Sequence, residues 1–202
     1  MKRILSLLAV AAVSLLVSVE ANAQFGFLVG LTSSSVRLAK SDAVSLYHAG
    51  VTAKIPVGSG FAIQPSLLYQ VKGANVGQLS TATEEDFKVK TGFVELPLSL
   101  QWGPTLAAFR PFVLAEPFVG YRVTSGDKGD ENFQDWAERA KSQFEYGFGL
   151  GAGLEIAEHV QLSAQWFNNL GPMFSAPAEE GAEPLDNVKN FEGIKFSLAI
   201  IF

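Results

Sequence analysis

Glu192-Gly193-Ile194-Lys195-Phe196-Ser197-Leu198-Ala199-Ile200-Ile201-Phe202 is the stretch whose reading decides the fold. Ile194, Phe196, Leu198, Ile200 and Phe202 fall on one face, and Gly193, Lys195, Ser197, Ala199 and Ile201 on the other. A period of two with one wholly apolar face is the pattern of a strand lying between two different solvents. The apolar face is greasy to its last residue while the other carries a lysine. The expected solvents are therefore lipid outside and a polar barrel interior inside.

Seven further segments alternate in the same way, at about 24–32, 46–56, 61–72, 89–102, 107–123, 143–156 and 159–168, and 191–202 makes the eighth. Each is close to or above the roughly nine to eleven residues that a tilted strand needs to span a bilayer. Parity assigns the faces. In the third segment Phe61, Ile63, Pro65, Leu67, Tyr69 and Val71 oppose Gln64, Ser66, Gln70 and Lys72. In the sixth, Phe144, Tyr146, Phe148, Leu150, Ala152, Leu154 and Ile156 oppose Glu145, Glu155 and the glycines between them. In the seventh, Val160, Leu162, Ala164 and Trp166 oppose Gln161, Ser163 and Gln165. The expected fold is all-β, an eight-stranded antiparallel up-and-down transmembrane β-barrel over residues 24–202. A soluble lipocalin-like barrel is the alternative, and it would invert every inside and outside assignment.

The N-terminus agrees. Lys2 and Arg3 precede an apolar run from Ile4 to Val19, and Ala21-Asn22-Ala23 supplies a small-x-small cleavage pattern before Gln24, so residues 1–23 read as a secretory signal peptide. A membrane anchor fits less well, because the run is short, is interrupted by Ser6, Ser14 and Ser18, and is followed by Glu20. The chain has no cysteine, which excludes disulfides, zinc thiolates, a thiol nucleophile and lipid attachment at the junction. Removing Lys2, Arg3 and Glu20 takes the formal net charge from −5 to −6, a balance that argues against a nucleic-acid partner. No run of about eighteen apolar residues remains, so a membrane can be crossed only by a closed barrel. The expected location is the outer membrane of a Gram-negative cell. The expected partners are its lipid, the barrel-insertion machinery and an envelope protein.

Connection lengths test this independently, since outer-membrane barrels have short periplasmic turns and long outer loops. The gaps after segments two, four and six are short (57–60, 103–106, 157–158), and those after one, three, five and seven run well over ten residues. Strict alternation would put both termini in the periplasm and all four long loops outside. Phe61, Trp102, Phe109 and Phe202 then form a periplasmic aromatic girdle, and Tyr47, Tyr69, Tyr121, Phe144 and Trp166 an outer one. Pro65, Pro97, Pro111 and Pro117 sit inside segments, where they are read as bulges. The glycines from Gly147 to Gly153 imply a crowded lumen in which only hydrogen atoms leave room for facing side chains. In the loops, Phe133, Trp136, Ala137 and Ala140 recur at helical spacing behind Asp130. The acidic residues Glu84-Glu85-Asp86 and Glu179, Glu180 and Glu183 read as solvated surface, since no twelve-residue calcium loop surrounds them.

Candidate chemistry is sparse. By parity Glu95, Arg110, Glu116, Arg122, Glu145, Glu155, Lys54, Lys72 and Lys195 point inward, where charge must be paired or hydrated. Counting from the strand ends puts Glu95, Glu116 and Lys195 near mid-depth. Glu95 and Glu116, with Lys195, Arg110 and Arg122 as the available cations, form the expected lumen network. Of the two histidines, His159 reads as a turn residue. His48 lies on the inward face near the outer rim, where Ser33, Ser34, Ser35 and Ser45 are the serines at hand. Phe196, Leu198, Ile200 and Phe202 are the expected membrane-assembly signal on the terminal strand. No cluster implies a metal or another cofactor.

Four short stretches carry a family resemblance: Pro65-Ser66-Leu67-Leu68-Tyr69-Gln70-Val71-Lys72-Gly73, Phe93-Val94-Glu95-Leu96-Pro97-Leu98, Pro111-Phe112-Val113 through Val119-Gly120-Tyr121, and Tyr146-Gly147-Phe148-Gly149-Leu150-Gly151-Ala152-Gly153. In this order and spacing the chain resembles the PorT-like outer-membrane barrels of Bacteroidota. The resemblance implies an eight-stranded barrel with in-strand prolines as family features, and a link to secretion machinery, but no active site. Three functional classes follow: a scaffold or interaction module with a filled lumen, a narrow small-solute channel, and a lipid-modifying enzyme using His48. The first is the main expectation, and with it the chain is not an enzyme.

Overall fold

The computed structural model describes residues 23–36, 41–76, 87–125, 144–170 and 191–202. Its elements are eight strands: β1 Gln24–Val36, β2 Ser41–Gly58, β3 Phe61–Val76, β4 Phe87–Trp102, β5 Phe109–Ser125, β6 Phe144–Ile156, β7 Val160–Asn169 and β8 Phe191–Ile201. Each pairs antiparallel with its sequence neighbours, and β8 returns to β1, with Gly26 facing Ile201, so the barrel is closed. Closure leaves no sheet edge, which is what a sheet immersed in lipid requires.

The two faces divide as parity dictates. On β8 Phe196 is 56% exposed while Lys195 is 3% exposed, and on β3 Leu67 is exposed while Gln70 and Lys72 are completely buried. Burying lysine and exposing phenylalanine would be ruinous in water. It is the stable arrangement when the outer solvent is hydrocarbon. Phe61, Trp102, Phe109 and Phe202 ring the end that holds the short turns, and Tyr47, Tyr69, Phe144 and Trp166 stand outward toward the other end. Tyr121 departs from its expected girdle position. It is buried, with its ring 5.2 Å edge-on from Phe144, at the second pair before the place where the β4–β5 register shifts between Gly92 and Phe93.

The short turns solve their geometry locally. Gly58 and Gly60 take φ values of +94° and +80°, the left-handed region that glycine enters without a Cβ penalty. Ala157 and Glu158 both have positive φ, and the turn is closed by the His159 amide donating to the Ile156 carbonyl at 3.2 Å. His159 is exposed, yet its Nδ1 lies 2.9 Å from the Ile201 carbonyl and so ties the turn to the end of β8.

Three expectations need correction. First, the connection after β1 is short: β1 ends at Val36 and β2 begins at Ser41, closer than Trp102 is to Phe109, so short and long gaps do not alternate strictly. Pairing continues through Ser34 and Val44 after the apolar alternation has given way to Thr32, Ser33, Ser34 and Ser35, because ladder hydrogen bonds do not require an apolar face. Second, β2 to β5 run for 16 to 18 residues, more than a bilayer needs, whereas β6 to β8 run for 10 to 13. Third, the in-strand prolines are not bulges. The register passes unchanged across Pro65 in β2–β3, across Pro97 in β3–β4 and across Pro117 in β4–β5, and each ladder lacks two pairs there. The β5–β6 ladder runs unbroken through Pro111 and Pro117. A missing N–H removes rungs without adding a residue. The register shifts lie elsewhere, between Ala43 and His48, Pro56 and Gly58, and Gly92 and Phe93. The expected leader, the helical pattern around Trp136 and the acidic clusters lie outside the described residues, apart from Ala23.

Candidate functional site

The barrel interior is where the unusual chemistry lies, and it is built in three tiers. In the tier toward the loop end, ladder pairing sets Glu95 of β4, Gly120 of β5 and Glu145 of β6 in one row. Gly120 matters because a Cβ there would stand 2.7 Å from Glu145 Oε1, so only a hydrogen atom lets the Glu145 side chain fold across β5. Lys72 of β3 reaches into the same space, with Nζ 2.6 Å from Glu95 and 2.9 Å from Glu145. Asn169 donates to Glu145 and accepts from Lys72 at 3.3 Å. Neither oxygen of Glu95 has an aligned hydrogen bond, and the 2.6 Å contact with Lys72 is its ion pair. Phe93, Phe118 and Phe167 surround the ammonium, their ring centres 5.3, 4.7 and 5.2 Å from Nζ. Each ring face adds cation–π attraction, which is strengthened where water is excluded.

The glycines of β6 supply the room for these rings. A Cβ on Gly147 would meet Phe118 at 2.6 Å, and one on Gly153 would meet Phe112 at 2.4 Å, so the crowded lumen inferred from the glycine pattern is present. The parity reading had filled the interior with polar groups. It missed that Phe93, Phe112, Phe118 and Phe167 also face inward and make an aromatic core inside the polar one.

The middle tier pairs Lys195 of β8 with Glu116 of β5 at 2.9 Å, and Gln165 donates to the same carboxylate at 2.6 Å. Beside it His48, 1% exposed, has Nδ1 2.9 Å from the Thr32 hydroxyl and Nε2 2.9 Å from the Ser197 hydroxyl. None of the serines near it in sequence is its partner. Ser34, for one, donates to the Gly73 carbonyl at 2.8 Å and accepts from the Gly73 amide. Between these groups lies a cavity of about 30 Å³, room for about one water.

The tier at the turn end joins Lys54 to Glu155 at 2.5 Å and Arg110 to the same carboxylate at 3.3 Å. Arg110 also donates to Gln101 at 3.1 Å and to the Gly60 carbonyl at 2.9 Å, while Gln101 donates to Gln64 and Gln161 to Glu155. Below this floor opens a vestibule of about 620 Å³.

The expected network of Glu95, Glu116, Lys195, Arg110 and Arg122 is therefore three separate clusters. Glu95 pairs with Lys72, Glu116 with Lys195 and Arg110 with Glu155. Arg122 sits half-buried opposite Phe93, at the last pair before the register shift, well above Glu116. Counting from strand ends put Glu95 level with Glu116. Barrel stagger instead sets Glu95 against Gly120, two inward positions higher on β5. Lys72, Glu145, Lys54 and Glu155 were legible as inward residues but not as partners, and Asn169 lay just past the expected end of its strand. Phe196, Leu198, Ile200 and Phe202, the expected assembly signal, all stand on the outward face, with the Phe202 ring edge-on to Phe27 at 6.2 Å.

No curated protein matches the sequence significantly. Among solved structures, the chain is similar to Neisserial surface protein A, NspA, with 12% identity, 89% of this chain and 97% of that one covered, and a TM-score of 0.50. It is also similar to Ail, the attachment invasion locus protein of Yersinia pestis, with 9% identity, the same coverage and a TM-score of 0.44. At such identities the likeness to NspA speaks to fold alone. The family model described as outer membrane protein beta-barrel domain matches residues 14–175, and with the closed eight-stranded wall and its lipid-facing girdles this places the chain in that family of outer-membrane barrels.

Proposed function

We propose that this outer-membrane barrel is a scaffold or interaction module whose lumen is sealed by its own side chains, with its termini and short turns in the periplasm and its long connections outside. The observation that carries this reading is the uppermost tier. Lys72, Glu95, Glu145, Phe93 and Phe167 are all buried to 1% exposure or less, so the barrel is closed at a level where a channel would need water. At the middle tier beneath it the cavity beside His48, Glu116 and Lys195 holds about 30 Å³, far short of a solute path. The PorT-like resemblance supports a Bacteroidota origin and attachment to a secretion or envelope machinery, while Lys2, Arg3, the apolar run after them and Ala21-Asn22-Ala23 support a cleaved leader over residues 1–23. Crosslinking in the native outer membrane tests the proposal. A defined protein complex is the expected result, and steady ion conductance by the purified barrel in a planar bilayer would replace it with the channel reading.

The contact of Ser197 with His48 gives the lipid-modifying reading its one concrete support, a hydroxyl within reach of a base. Against it, His48 is sealed from both lipid and water and its other nitrogen meets a threonine hydroxyl rather than a carboxylate. The pair is better read as a latch between β1, β2 and β8. Lipid A composition unchanged between cells overproducing the native barrel and those overproducing Ser197→Ala is the expected result. A modification present only with the native chain would restore the enzyme.

A further inference from the structure

The outer wall carries a furrow that the sealed lumen does not explain. Across four neighbouring strands, ladder pairing sets Gly30, Ser197, Ser163 and Gly153 side by side. These inward-parity residues are half-buried, whereas Lys195, Gln165 and Glu155 on the same strands are buried. They form the floor of a lipid-side depression of about 670 Å³. One bank is continuous and branched, running through Leu198, Leu162 and Leu154. The other begins with Leu31 and Phe196 and then drops to Ala164 and Ala152, which opens the depression toward β6. The floor is kept thin from inside: a Cβ on Gly30 would stand 2.5 Å from His48 Nε2, and His48 in turn holds Ser197 at 2.9 Å.

Dimensions select the occupant. The floor crosses three strand spacings, ~14 Å, and the banks stand two residues apart along a strand, ~6.7 Å. That width suits a hydrocarbon chain, and is too narrow for an α-helix of about 10–12 Å diameter. The furrow is also continuous with the lipid-facing wall, so hydrocarbon is what meets it. On β6, β7 and β8 its floor lies within four residues of the turn end, which places it in the leaflet on that side. We propose that the furrow seats one acyl chain of a phospholipid from this leaflet. The choice of phospholipid rests on the orientation proposed above, in which the turn end faces the periplasm.

The test uses the full-length mature barrel in nanodiscs of phosphatidylethanolamine and phosphatidylglycerol containing a phospholipid with a diazirine in mid-chain. Photolabel should concentrate on Leu162, Ala164 and Phe196 over Leu98, Leu100 and Val113 on another part of the wall, by about threefold, or about 0.65 kcal/mol of preference. Ala164→Phe should abolish the excess by filling the furrow. Ala152→Val, a smaller change, should reduce it, and heat-modifiable migration checks that each variant is folded. Uniform labelling of the native wall, or an excess that survives both substitutions, overturns the seat. Barrel-to-barrel crosslinks through a cysteine at Ala164 would give the furrow to a second copy and overturn it too. An excess seen only with labelled lipopolysaccharide in asymmetric membranes overturns the phospholipid assignment, and thiol labelling at Ser59 in whole cells checks the orientation separately.

Discussion

Lys72→Met removes the one cation shared by Glu95 and Glu145 while keeping much of the side-chain volume. Breaking a buried ion pair from one side costs about 3 to 5 kcal/mol, because the abandoned charge stays buried. Here two carboxylates are abandoned. Both oxygens touch the same nitrogen, at 2.6 and 2.9 Å, so they stand at most about 5.5 Å apart, and two unit charges at that distance repel by about 3 kcal/mol in an effective dielectric near 20. The two costs overlap, and the expected loss is at least about 4 kcal/mol. Urea unfolding in lipid vesicles, followed by the fluorescence of Trp102 and Trp166 on the wall, gives the number. The control removes the charges together. Adding Glu95→Gln and Glu145→Gln to Lys72→Met leaves no ion stranded and should bring the loss below about 2 kcal/mol, since neutral replacement of a whole buried cluster is often nearly free. A single variant within about 1 kcal/mol of the native barrel, or a triple variant no better than the single, would refute the idea that this tier is a paired ionic plug.

Gly120→Val puts a branched side chain where Glu145 Oε1 would lie 2.7 Å from the new Cβ, and overpacking of this kind should cost about 1 to 3 kcal/mol in the same assay. Ala115→Val, on the lipid face of the same strand, should cost little. Phe196→Asp with Leu198→Asp should lower outer-membrane levels, measured by fractionation and heat-modifiable migration, because both residues face hydrocarbon. In intact cells with a sealed outer membrane, cysteine at Ser59 should resist an impermeant thiol reagent, while cysteines at Glu84, Asp130 and Glu180 react.

Most of the wall was legible because a barrel strand in lipid obeys only one rule, a period of two. On β6, Phe144, Tyr146, Leu150 and Leu154 are exposed and Glu145 and Glu155 are buried, as their positions in the sequence require. What parity could not give was the end of each strand. β1 runs on to Val36 and β3 to Val76 because ladder hydrogen bonds outlast the apolar belt. The prolines misled for a related reason. Pro97 and Pro117 cost rungs, but a ladder anchored on both sides absorbs the loss without slipping, since a shift by one residue would turn every lipid-facing side chain inward.

The lumen was legible only to the extent that parity names its residues. Who meets whom depends on barrel closure, since Lys72 of β3 meets Glu145 of β6 across the interior rather than along the sheet. The pairing also hides an order along the axis. The tier toward the loop end has two carboxylates to one cation, the middle tier one to one, and the turn-end tier one carboxylate to two cations. Four cations thus balance four carboxylates over the described ion pairs, while each end tier taken alone carries an excess of opposite sign. Lys195 links the upper two tiers, because its Nζ lies 5.6 and 5.8 Å from the same Phe118 and Phe167 rings that surround Lys72. Two ammonium groups would repel across that gap. Glu95 and Glu145 offset the repulsion on one side and Glu116 on the other, so the aromatic rings can serve both cations. The upper two tiers are joined through this shared aromatic wall, and over the described ion pairs cations and carboxylates match in number only when the two end tiers are counted together.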